Sequence, residues 1–260
     1  MRLDLYLFNY NYVKSRQKAK GLIEGGNVMI DNKIVTKPAF EINEDQDYNI
    51  EITDDCKYVS RGGLKLEKIL TVSDFDLNNK ICVDIGSSTG GFTDCLLQFG
   101  AKRVYAIDSG KDQLDLSLKN NKKVFSIESF NAKNLNKEMF DELIDVVTID
   151  VSFISQTLIM PQIFSILSDS GSFISLIKPQ FEAGRERIGK GGIVKDSKSR
   201  LFAVNKVIAC AEAFGYRSTC FIKSPIRGGD GNIEYLSIFE KVDNGISKDY
   251  IKKLILSQWG

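Results

Sequence analysis

Five short apolar runs follow one another after residue 60, and segments with helical spacing separate them. The runs are Ile81–Val83, Val104–Ile107, Val124–Ile127, Ile144–Ile149 and Ser172–Ile177. A last helix-like segment, Ser199–Phe214, precedes the final strands. Strands that alternate with helices in this way predict an α/β fold, with right-handed crossovers and a mostly parallel sheet covered by helices on both faces.

The first 54 residues have a different pattern. Arg2–Phe8 and Ser15–Ile23 predict two short helices, with Ser15 as the N-cap of the second. Short strands are predicted at Val28–Ile30, Ile34–Val35 and Tyr48–Ile52. A chain of 260 residues has room for a medium-sized domain with a small companion. We therefore predict a small α+β domain at residues 1–54, a linker at 55–60 and a larger domain at 61–260.

One uncharged stretch, Val151–Ser168, needs testing as a membrane span. It contains Pro161 and several polar side chains, whereas a span needs about 20 predominantly apolar residues. We predict a buried amphipathic helix there instead. The N-terminus has no secretory leader, and the five cysteines form no Cys-x-x-Cys pair. These features predict a cytoplasmic protein without disulfides, and the absence of histidine and of paired cysteines argues against a metal site.

The net charge of +1 hides an uneven distribution. Residues 1–37 contain seven Lys/Arg and three acids, residues 41–55 contain seven acids and no base, and residues 178–206 contain eight Lys/Arg and three acids. Two basic segments favour a polyanionic partner, although each alone could be the solvated face of a helix. The candidate contacts to nucleic-acid phosphates are Arg2, Lys14, Arg16, Lys18, Lys20, Arg185 and Arg187.

A glycine-rich stretch, Asp84-Ile-Gly86-Ser-Ser-Thr-Gly90-Gly91, joins the first apolar run to a helical segment, Phe92–Phe99. Glycines in such a turn permit positive φ and let a ligand lie against the backbone. Asp108 follows the next run, where nucleoside sites place a carboxylate for ribose hydroxyls. The candidate nucleoside or cofactor contacts are Asp84, Gly86, Ser88, Thr89, Gly90, Gly91, Asp108 and Asn131, and Asn131 could equally be an ordinary turn residue.

Charged residues recur where the predicted strands end, at Asp84, Asp108, Glu128, Asp150 and Lys178. Ligands of parallel sheets bind beyond the carboxyl ends of the strands. Any one of these residues could be a helix cap or half of an ion pair, but five at one edge indicate a site. Two loops rich in glycine, residues 183–194 and 224–233, follow Lys178 and precede Glu234, and long loops at such an edge tend to be functional.

These motifs together resemble the TlyA family, also called hemolysin A, whose catalytic domain is similar to the FtsJ-type ribose methyltransferases. The matching stretches are Ser60–Leu66, Asp84–Asp94, Tyr105–Asp108, Asp150–Ser155, Leu176–Glu182, Gly192–Asp196, Ser224–Ile226 and Gly231–Glu234. The N-terminal segment resembles the S-four type of RNA-binding domain through Arg2–Asp4, Ser15-Arg16, Ile23 and Gly26–Val28. Its alternative interpretation is a small helical cap. The connector Cys56–Val59 lacks the Arg-x-Trp-Val form of some relatives.

The resemblance implies a Rossmann-like methyltransferase domain that uses S-adenosylmethionine to methylate ribose 2′-hydroxyls of ribosomal RNA, with cytidine as the target nucleoside. Ribosomal subunits are the expected partner, and a monomer is expected. The family's Lys-Asp-Lys-Glu tetrad falls on Lys65, Asp150, Lys178 and Glu234. Without histidine a general base must be Lys, Asp, Glu or Tyr, and the tetrad implied by the resemblance makes Lys178 the candidate group that contacts and deprotonates the hydroxyl. An orienting role without full proton abstraction remains the alternative.

Five other functions share some of these sequence features. A nicotinamide dehydrogenase would share the glycine turn and Asp108, but the charged strand ends suit hydroxyl activation better. Methylation of a base nitrogen is disfavoured because Asp150–Phe153 is not a Pro-Pro-aromatic segment. A base methyltransferase with a cysteine nucleophile is disfavoured too, because no cysteine follows a proline at a predicted catalytic strand end. A secreted pore-former is disfavoured by the missing leader and span. A non-catalytic RNA-binding scaffold is the main alternative, and it predicts a dispensable tetrad.

Overall fold

The computed structural model describes residues 1–13, 15–31, 33–44, 46–52 and 57–257. Lys14 and the first two residues of the predicted linker lie outside the described residues. The chain divides into two compact units, residues 1–61 and 62–260. Each unit has its own cluster of buried apolar side chains.

The described part of the amino-terminal unit contains two helices and a three-stranded antiparallel sheet. Its elements are α1 (Leu3–Asn9), α2 (Arg16–Glu24), β1 (Val28–Ile30), β2 (Lys33–Ile34) and β3 (Ile50–Ile52), and the strand order is β2-β1-β3. Ser15 Oγ accepts a hydrogen bond of 3.1 Å from the Lys18 amide, which confirms the predicted N-cap. Apolar positions on both helices pack against β1 because they recur with helical spacing.

The carboxy-terminal unit is built on a seven-stranded sheet. Its elements are α3 (Gly62–Ser73), β4 (Ile81–Ile85), α4 (Gly91–Gln98), β5 (Arg103–Ile107), α5 (Leu116–Lys119), β6 (Val124–Ile127), β7 (Ile144–Ile149), α6 (Met160–Ile166), β8 (Leu167–Ile177), α7 (Pro179–Glu182), α8 (Ser197–Ala213), β9 (Arg217–Lys223), β10 (Tyr235–Glu240) and α9 (Lys248–Leu256). The predicted α/β fold with a mostly parallel sheet is confirmed.

The strand order is β6-β5-β4-β7-β8-β10-β9. The first five of these strands are parallel, and β10 runs antiparallel to both of its neighbours. The chain moves outward from β4 to β6 and then crosses back to β7 on the other side of β4. Such a reversal opens a crevice at the carboxyl ends of β4 and β7, which is where open α/β sheets bind their ligands.

The stretch Val151–Ser168 differs from its predicted single helix. It contains a loop, a 3-10 turn at Gln156–Leu158, the seven-residue helix α6 and the start of β8. Pro161 stands in the first turn of α6, because a residue without an amide hydrogen fits a helix start rather than an interior. Strand β8 begins at Leu167, which pairs with Ile144 at the start of β7. Among the described residues, no helix has the length and apolar character needed to cross a bilayer.

Candidate active site

The turn between β4 and α4 has the backbone that its glycines suggest. Gly86 and Gly90 have φ of 81° and 99°, in the region that favours glycine. The amides of Gly86 and Ser87 both donate to the Ile107 carbonyl oxygen, at 2.8 and 3.1 Å. A Cβ atom on Gly86 would collide with the Asp150 carbonyl oxygen. The turn therefore lies directly against the ends of both neighbouring strands.

Asp108 joins the end of β5 to this turn. Its Oδ2 accepts from the Ser88 amide at 2.8 Å, and its Oδ1 accepts from the Gly110 amide at 2.7 Å. A carboxylate can accept about four hydrogen bonds, so each oxygen keeps capacity for a further donor. The carbonyl oxygen of Thr89 accepts from the Asp115 amide at 3.2 Å. The turn and the loop after β5 thus form one hydrogen-bonded unit.

Glu128, at the end of β6, organises the loop after β5. Its carboxylate accepts from the backbone amides of Asp112, Gln113 and Leu114 at 2.9 to 3.4 Å, and Lys119 Nζ lies 3.1 Å from Oε1. The backbone hydrogen bond from Asp112 is the main reason why the pKa of Glu128 lies below its usual range. The sequence identified Glu128 only as a strand-end residue, and its partners show that it shapes the loop beside the glycine turn.

Asp84 does not match the expected cofactor contact. Its side chain has no solvent exposure, and its carboxylate accepts from Thr93 Oγ1 at 2.7 Å and Thr148 Oγ1 at 2.9 Å. Burial raises the pKa of Asp84 to about 6. Asp84 lies inside β4 rather than beyond its end, because the strand continues to Ile85. Its hydrogen bonds connect β4 to α4 and β7, and they thereby stabilise the strand that leads into the glycine turn.

The remaining cofactor candidates are divided between the glycine turn and a helix-cap position, Asn131, which follows a residue bonded to the Asp108 carbonyl oxygen. Ser88 has a φ of 47° and donates to Asp108, and Gly91 is the first residue of α4. Asn131 is exposed, and its Oδ1 accepts from the Lys133 amide at 3.0 Å as the cap of a 3-10 turn. This contact is the ordinary turn role that the sequence left open for Asn131.

Two lysine–carboxylate pairs stand beyond the strand ends. Lys65 Nζ lies 2.6 Å from Glu234 Oε2, and both side chains are buried. Lys178 Nζ lies 2.5 Å from Asp150 Oδ1 and donates to Ser152 Oγ at 3.0 Å. The contact of Lys178 with Asp150 is an ion pair rather than an aligned hydrogen bond, because that oxygen has no partner of good hydrogen-bond geometry.

Sheet register brings the two pairs together. Ile177, the last residue of β8, pairs with Tyr235, the first residue of the antiparallel β10, so Lys178 and Glu234 occupy the next opposed positions. Asp150 follows β7, which is the other neighbour of β8. Opposed positions in neighbouring strands lie about 5 Å apart. All four residues of the tetrad implied by the resemblance therefore meet at one edge of the sheet.

Phe153 was not among the candidate residues. Its side chain is 92% exposed, its φ is 63°, and its ring centroid lies 5.2 Å from that of Phe181. A positive φ is strained for a residue other than glycine, and such strain occurs most often at functional sites. Hydrophobic patterning does not identify Phe153 as a site residue, because a phenylalanine in the sequence is expected to be buried in the core.

Asn232 was part of a matching motif but had no assigned role. It is buried, and its Oδ1 accepts from the Val194 amide while its Nδ2 donates to the Gly192 carbonyl oxygen, both at 3.0 Å. These bonds attach the loop 183–194 to the segment that carries Glu234. A buried amide with two backbone partners fixes the path of a loop that is otherwise rich in glycine.

Several of the basic candidates have structural partners. Arg2 and Arg16 each place a guanidinium nitrogen 2.9 Å from the buried carboxylate of Asp4. Burial acts to raise the pKa of Asp4, but the hydrogen bonds from the two arginines hold it below its usual range. Both arginines remain half exposed, so each can also meet a phosphate. Lys20 forms a loose pair with Glu24 at 3.8 Å.

On the loop after α7, the guanidinium carbon of Arg187 lies 4.1 Å from the centroid of the exposed ring of Phe202. Arg185 is exposed. An arginine stacked on an aromatic ring keeps its edge donors available for phosphate oxygens. This loop is therefore a basic surface on the same unit as the tetrad.

A strand order with its reversal at β4, a glycine turn and a carboxylate after β5 define the class of nucleoside-binding α/β enzymes to which many methyltransferases belong. The chain belongs to the FtsJ-like methyltransferase family, whose sequence model matches residues 58–241. Residues 1–47 match the S4 domain. The predicted family and enzyme class are confirmed.

Named relatives cover nearly the whole chain. Hemolysin A of Brachyspira hyodysenteriae is 49% identical over 240 residues, which is 92% of this chain and 99% of that protein. The 16S/23S rRNA (cytidine-2′-O)-methyltransferase TlyA of Mycobacterium tuberculosis is 36% identical over 234 residues, or 90% and 87%. A solved structure from Streptococcus thermophilus with the provisional name hemolysin has a TM-score of 0.78 and 39% identity, and the match covers 98% of this chain and 94% of that one.

Proposed function

We propose that this protein transfers the methyl group of S-adenosylmethionine to ribose 2′-hydroxyls of ribosomal RNA, with cytidine as the target nucleoside. The observation that carries the proposal is the pair of lysine–carboxylate contacts beside the glycine turn. The name of the M. tuberculosis relative, a 16S/23S rRNA (cytidine-2′-O)-methyltransferase, supports the choice of substrate. A cytoplasmic, monomeric enzyme fits this role.

The residues around the glycine turn suit a nucleoside cofactor. Asp108 keeps acceptor capacity for ribose hydroxyls, and the backbone from Gly86 to Gly91 can lie against an amino-acid group because a glycine presents no side chain. When bound, S-adenosylmethionine supplies a methyl group on a positive sulfur, which departs as a neutral thioether. Asp84 does not touch the cofactor in this scheme, and it holds the turn in place through Thr93 and Thr148.

Lys178 is the residue that we place on the ribose hydroxyl. A lysine nitrogen has three positions besides its carbon. Ser152 accepts a hydrogen bond from one of them, and Asp150 lies beside a second as the counter-charge, out of hydrogen-bond alignment. The third position faces the hydroxyl, either as an N–H donor that orients the oxygen or, in the neutral amine, as the lone pair that accepts its proton. Asp150 and Ser152 fix the direction of this third position.

Lys65 and Glu234 form the second half of the site. Burying a lysine without a partner is costly, and Glu234 supplies the compensating charge at 2.6 Å. The remaining N–H groups of Lys65 can then hold oxygen atoms of the substrate ribose. This arrangement places a second cation beside Lys178 without leaving an unpaired charge in the protein.

The substrate would be held outside the tetrad by charge and by stacking. We assign RNA docking to residues 1–54, which resemble and in large part match an RNA-binding domain, and methyl transfer to residues 61–260. Lys18, Lys20, Arg185 and Arg187 suit phosphate contacts. Phe153, exposed beside Ser152, suits stacking on a nucleobase that has left its helix.

The test combines cofactor binding with mapped methyl transfer. Purified protein is incubated with methyl-labelled S-adenosylmethionine and with small and large ribosomal subunits that lack the modification. We expect label on cytidine 2′-oxygens, and a Lys178→Ala variant that transfers roughly 100-fold more slowly or worse. Lys241→Ala, which removes an exposed lysine paired loosely with Asp169, is the matched control and should transfer normally.

Three other results of this test would contradict part or all of the proposal. Cofactor binding with no transfer to either subunit would place the substrate elsewhere. Failure to bind the cofactor would favour the non-catalytic RNA-binding scaffold. Equal rates for Lys178→Ala and the parent protein would remove Lys178 from the reaction.

A further inference from the structure

Two short segments, one a loop and the other containing the four-residue helix α7, run side by side beyond β7 and β8. The first segment, residues 150–156, carries Asp150, and the second, residues 178–182, carries Lys178. They touch at three successive points. Lys178 contacts Asp150 and Ser152, the ring of Phe181 packs against that of Phe153, and the far ends meet at Glu182.

Glu182 makes the most extensive of these contacts. Its carboxylate accepts from Ser155 Oγ at 2.5 Å, from the Gln156 amide at 2.7 Å and from Lys206 Nζ at 3.3 Å. The side chain is 4% exposed, and burial raises its pKa. Every donor around this carboxylate therefore opposes the cost of burying it, and two of the three belong to the segment that carries Asp150.

The Glu182 contact is anchored to the sheet. The Gln156 side chain accepts from Ser175 Oγ at 2.5 Å, and Ser175 lies inside β8, two residues before the strand ends. Lys206 reaches Glu182 and Ser155 from α8. Strand, helix and both segments are thus joined at one buried point, whereas Lys178 and Asp150 meet in a partly exposed ion pair.

We infer that Glu182 is a positioning residue, which holds the segment after β7 against the segment after β8 so that Lys178 stays opposite Asp150. This inference rests on the proposed function. The family match assigns no role to Glu182, and it does not touch the reacting atoms. Its effect is mechanical: neither segment is a regular strand or a long helix, so their alignment depends on side-chain contacts.

The expected size of the effect follows from the geometry of transfer. A displacement of about 1 Å in a reacting group lowers a rate about 100-fold. Glu182→Gln keeps the shape of the side chain, but its amide nitrogen must face one of three donors. We expect kcat for methyl transfer to fall about 10-fold to 100-fold. The KM for S-adenosylmethionine should change by less than about two-fold, because the glycine turn and Asp108 do not include Glu182. The KM for RNA should rise, because the displaced segment carries Phe153.

The matched control is Glu212→Gln. Glu212 lies near the end of α8, as Glu182 lies at the end of α7, and it accepts from Lys248 at 2.9 Å, but it belongs to neither segment and its partner is at the surface. Its kcat should equal that of the parent protein. A second variant, Ser155→Ala, removes one of the three contacts and keeps the buried carboxylate. It should lower kcat by a smaller factor, and its melting temperature should fall by only a few degrees, because Gln156 and Lys206 still compensate the carboxylate.

Two further readouts separate positioning from general destabilisation. In a double variant with Asp150→Asn, the Glu182→Gln effect on kcat should shrink, because both changes disturb one contact. Amide hydrogen exchange of residues 150–156, measured without substrate, should accelerate in Glu182→Gln and stay unchanged in Glu212→Gln.

A parent-level kcat in Glu182→Gln would overturn the inference, as would a rate loss that multiplies independently with Asp150→Asn. If Glu182→Gln does not fold, the kcat of Ser155→Ala tests the inference instead, and a parent-level kcat in that variant would overturn it. If the parent protein itself transfers no methyl group, the proposed function fails. Amide hydrogen exchange then still tests whether Glu182 aligns the two segments. An unchanged exchange rate at residues 150–156 in Glu182→Gln would reject that positioning role.

Discussion

Asp84 shows how the surroundings of a residue change its chemistry. An aspartate after an apolar run at the head of a glycine turn resembles a ligand contact, but β4 extends past it and its carboxylate is fully enclosed. Two threonine hydroxyls, from α4 and β7, supply its hydrogen bonds. The cost of this burial appears in its pKa of about 6.

That pKa predicts a measurable pH dependence of stability. The unfolded chain ionises Asp84 near pH 4, so between about pH 4 and pH 6 deprotonation favours the unfolded state. The contribution of Asp84 to the free energy of unfolding is therefore highest below pH 4 and falls as the pH rises to 6. The pKa difference corresponds to roughly 3 kcal/mol.

Asp84→Asn should remove this dependence, because an amide does not titrate and can still bond both threonines. Urea unfolding of the parent protein and the variant, followed by circular dichroism from pH 4.5 to 7.5, measures it. We expect the parent protein to lose stability relative to the variant as the pH rises. If the free energy of unfolding changed with pH in the same way in both proteins, the pKa of Asp84 would be the same in the folded and unfolded chain.

At the scale of single elements, the strands are the best predicted parts of the chain. All five apolar runs became strands, with most ends within two residues of the prediction. Strands buried on both faces read as continuous apolar runs, so this signal is local. The prediction for Val151–Ser168 was wrong, because an uncharged stretch is shared between a loop, a short helix and an early extension of β8. At the start of that extension Leu167 pairs with Ile144 of β7, a partner that is distant in the chain.

The β4–α4 turn gives a prediction at this scale. Gly86→Ala meets two penalties, a positive φ and a collision with the Asp150 carbonyl oxygen. Gly215→Ala meets only the first, since Gly215 has φ of 82° and open space around its Cβ position. We expect Gly215→Ala to cost about 1 kcal/mol of stability and Gly86→Ala about 1–3 kcal/mol more.

Thermal unfolding measures the stability of both glycine variants, and calorimetric titration measures their affinity for S-adenosylmethionine. Gly86→Ala alone should weaken cofactor binding, because the turn must shift away from Asp150. Equal affinities in the two variants would mean that the turn does not contact the cofactor.

At the scale of the whole molecule, the two units divide the proposed work between docking and chemistry. The basic candidates fall on both units, whereas the glycine turn, Asp108 and the tetrad all fall on the carboxy-terminal one. Each lysine that meets an RNA phosphate releases counterions, so binding should weaken with salt. The slope of log affinity against log salt concentration therefore reports how many lysines contact RNA phosphates.

A double variant, Lys18→Ala with Lys20→Ala, tests the docking role of the amino-terminal unit. We expect weaker binding to ribosomal RNA and a log–log salt slope lower by about 2, or about 1 for each phosphate contact. Lys252→Ala with Lys253→Ala, on α9, is the control and should leave the slope unchanged. Fluorescence anisotropy over 50–300 mM salt provides the measurement. Equal slopes in the two double variants would place docking elsewhere.

The sequence by itself determined the order of strands and helices, the glycine turn, and the identity of the charged groups at the strand ends, because these signals depend on short-range periodicity and turn chemistry. Only the tertiary structure decided which groups meet. Lys65 and Glu234 are 169 positions apart and pair because α3 and β10 pack together, and Glu182 meets Ser155 because β7 and β8 are neighbours. Burial of Asp84 was likewise decided by packing, since a carboxylate's solvent exposure depends on elements that are distant in the chain.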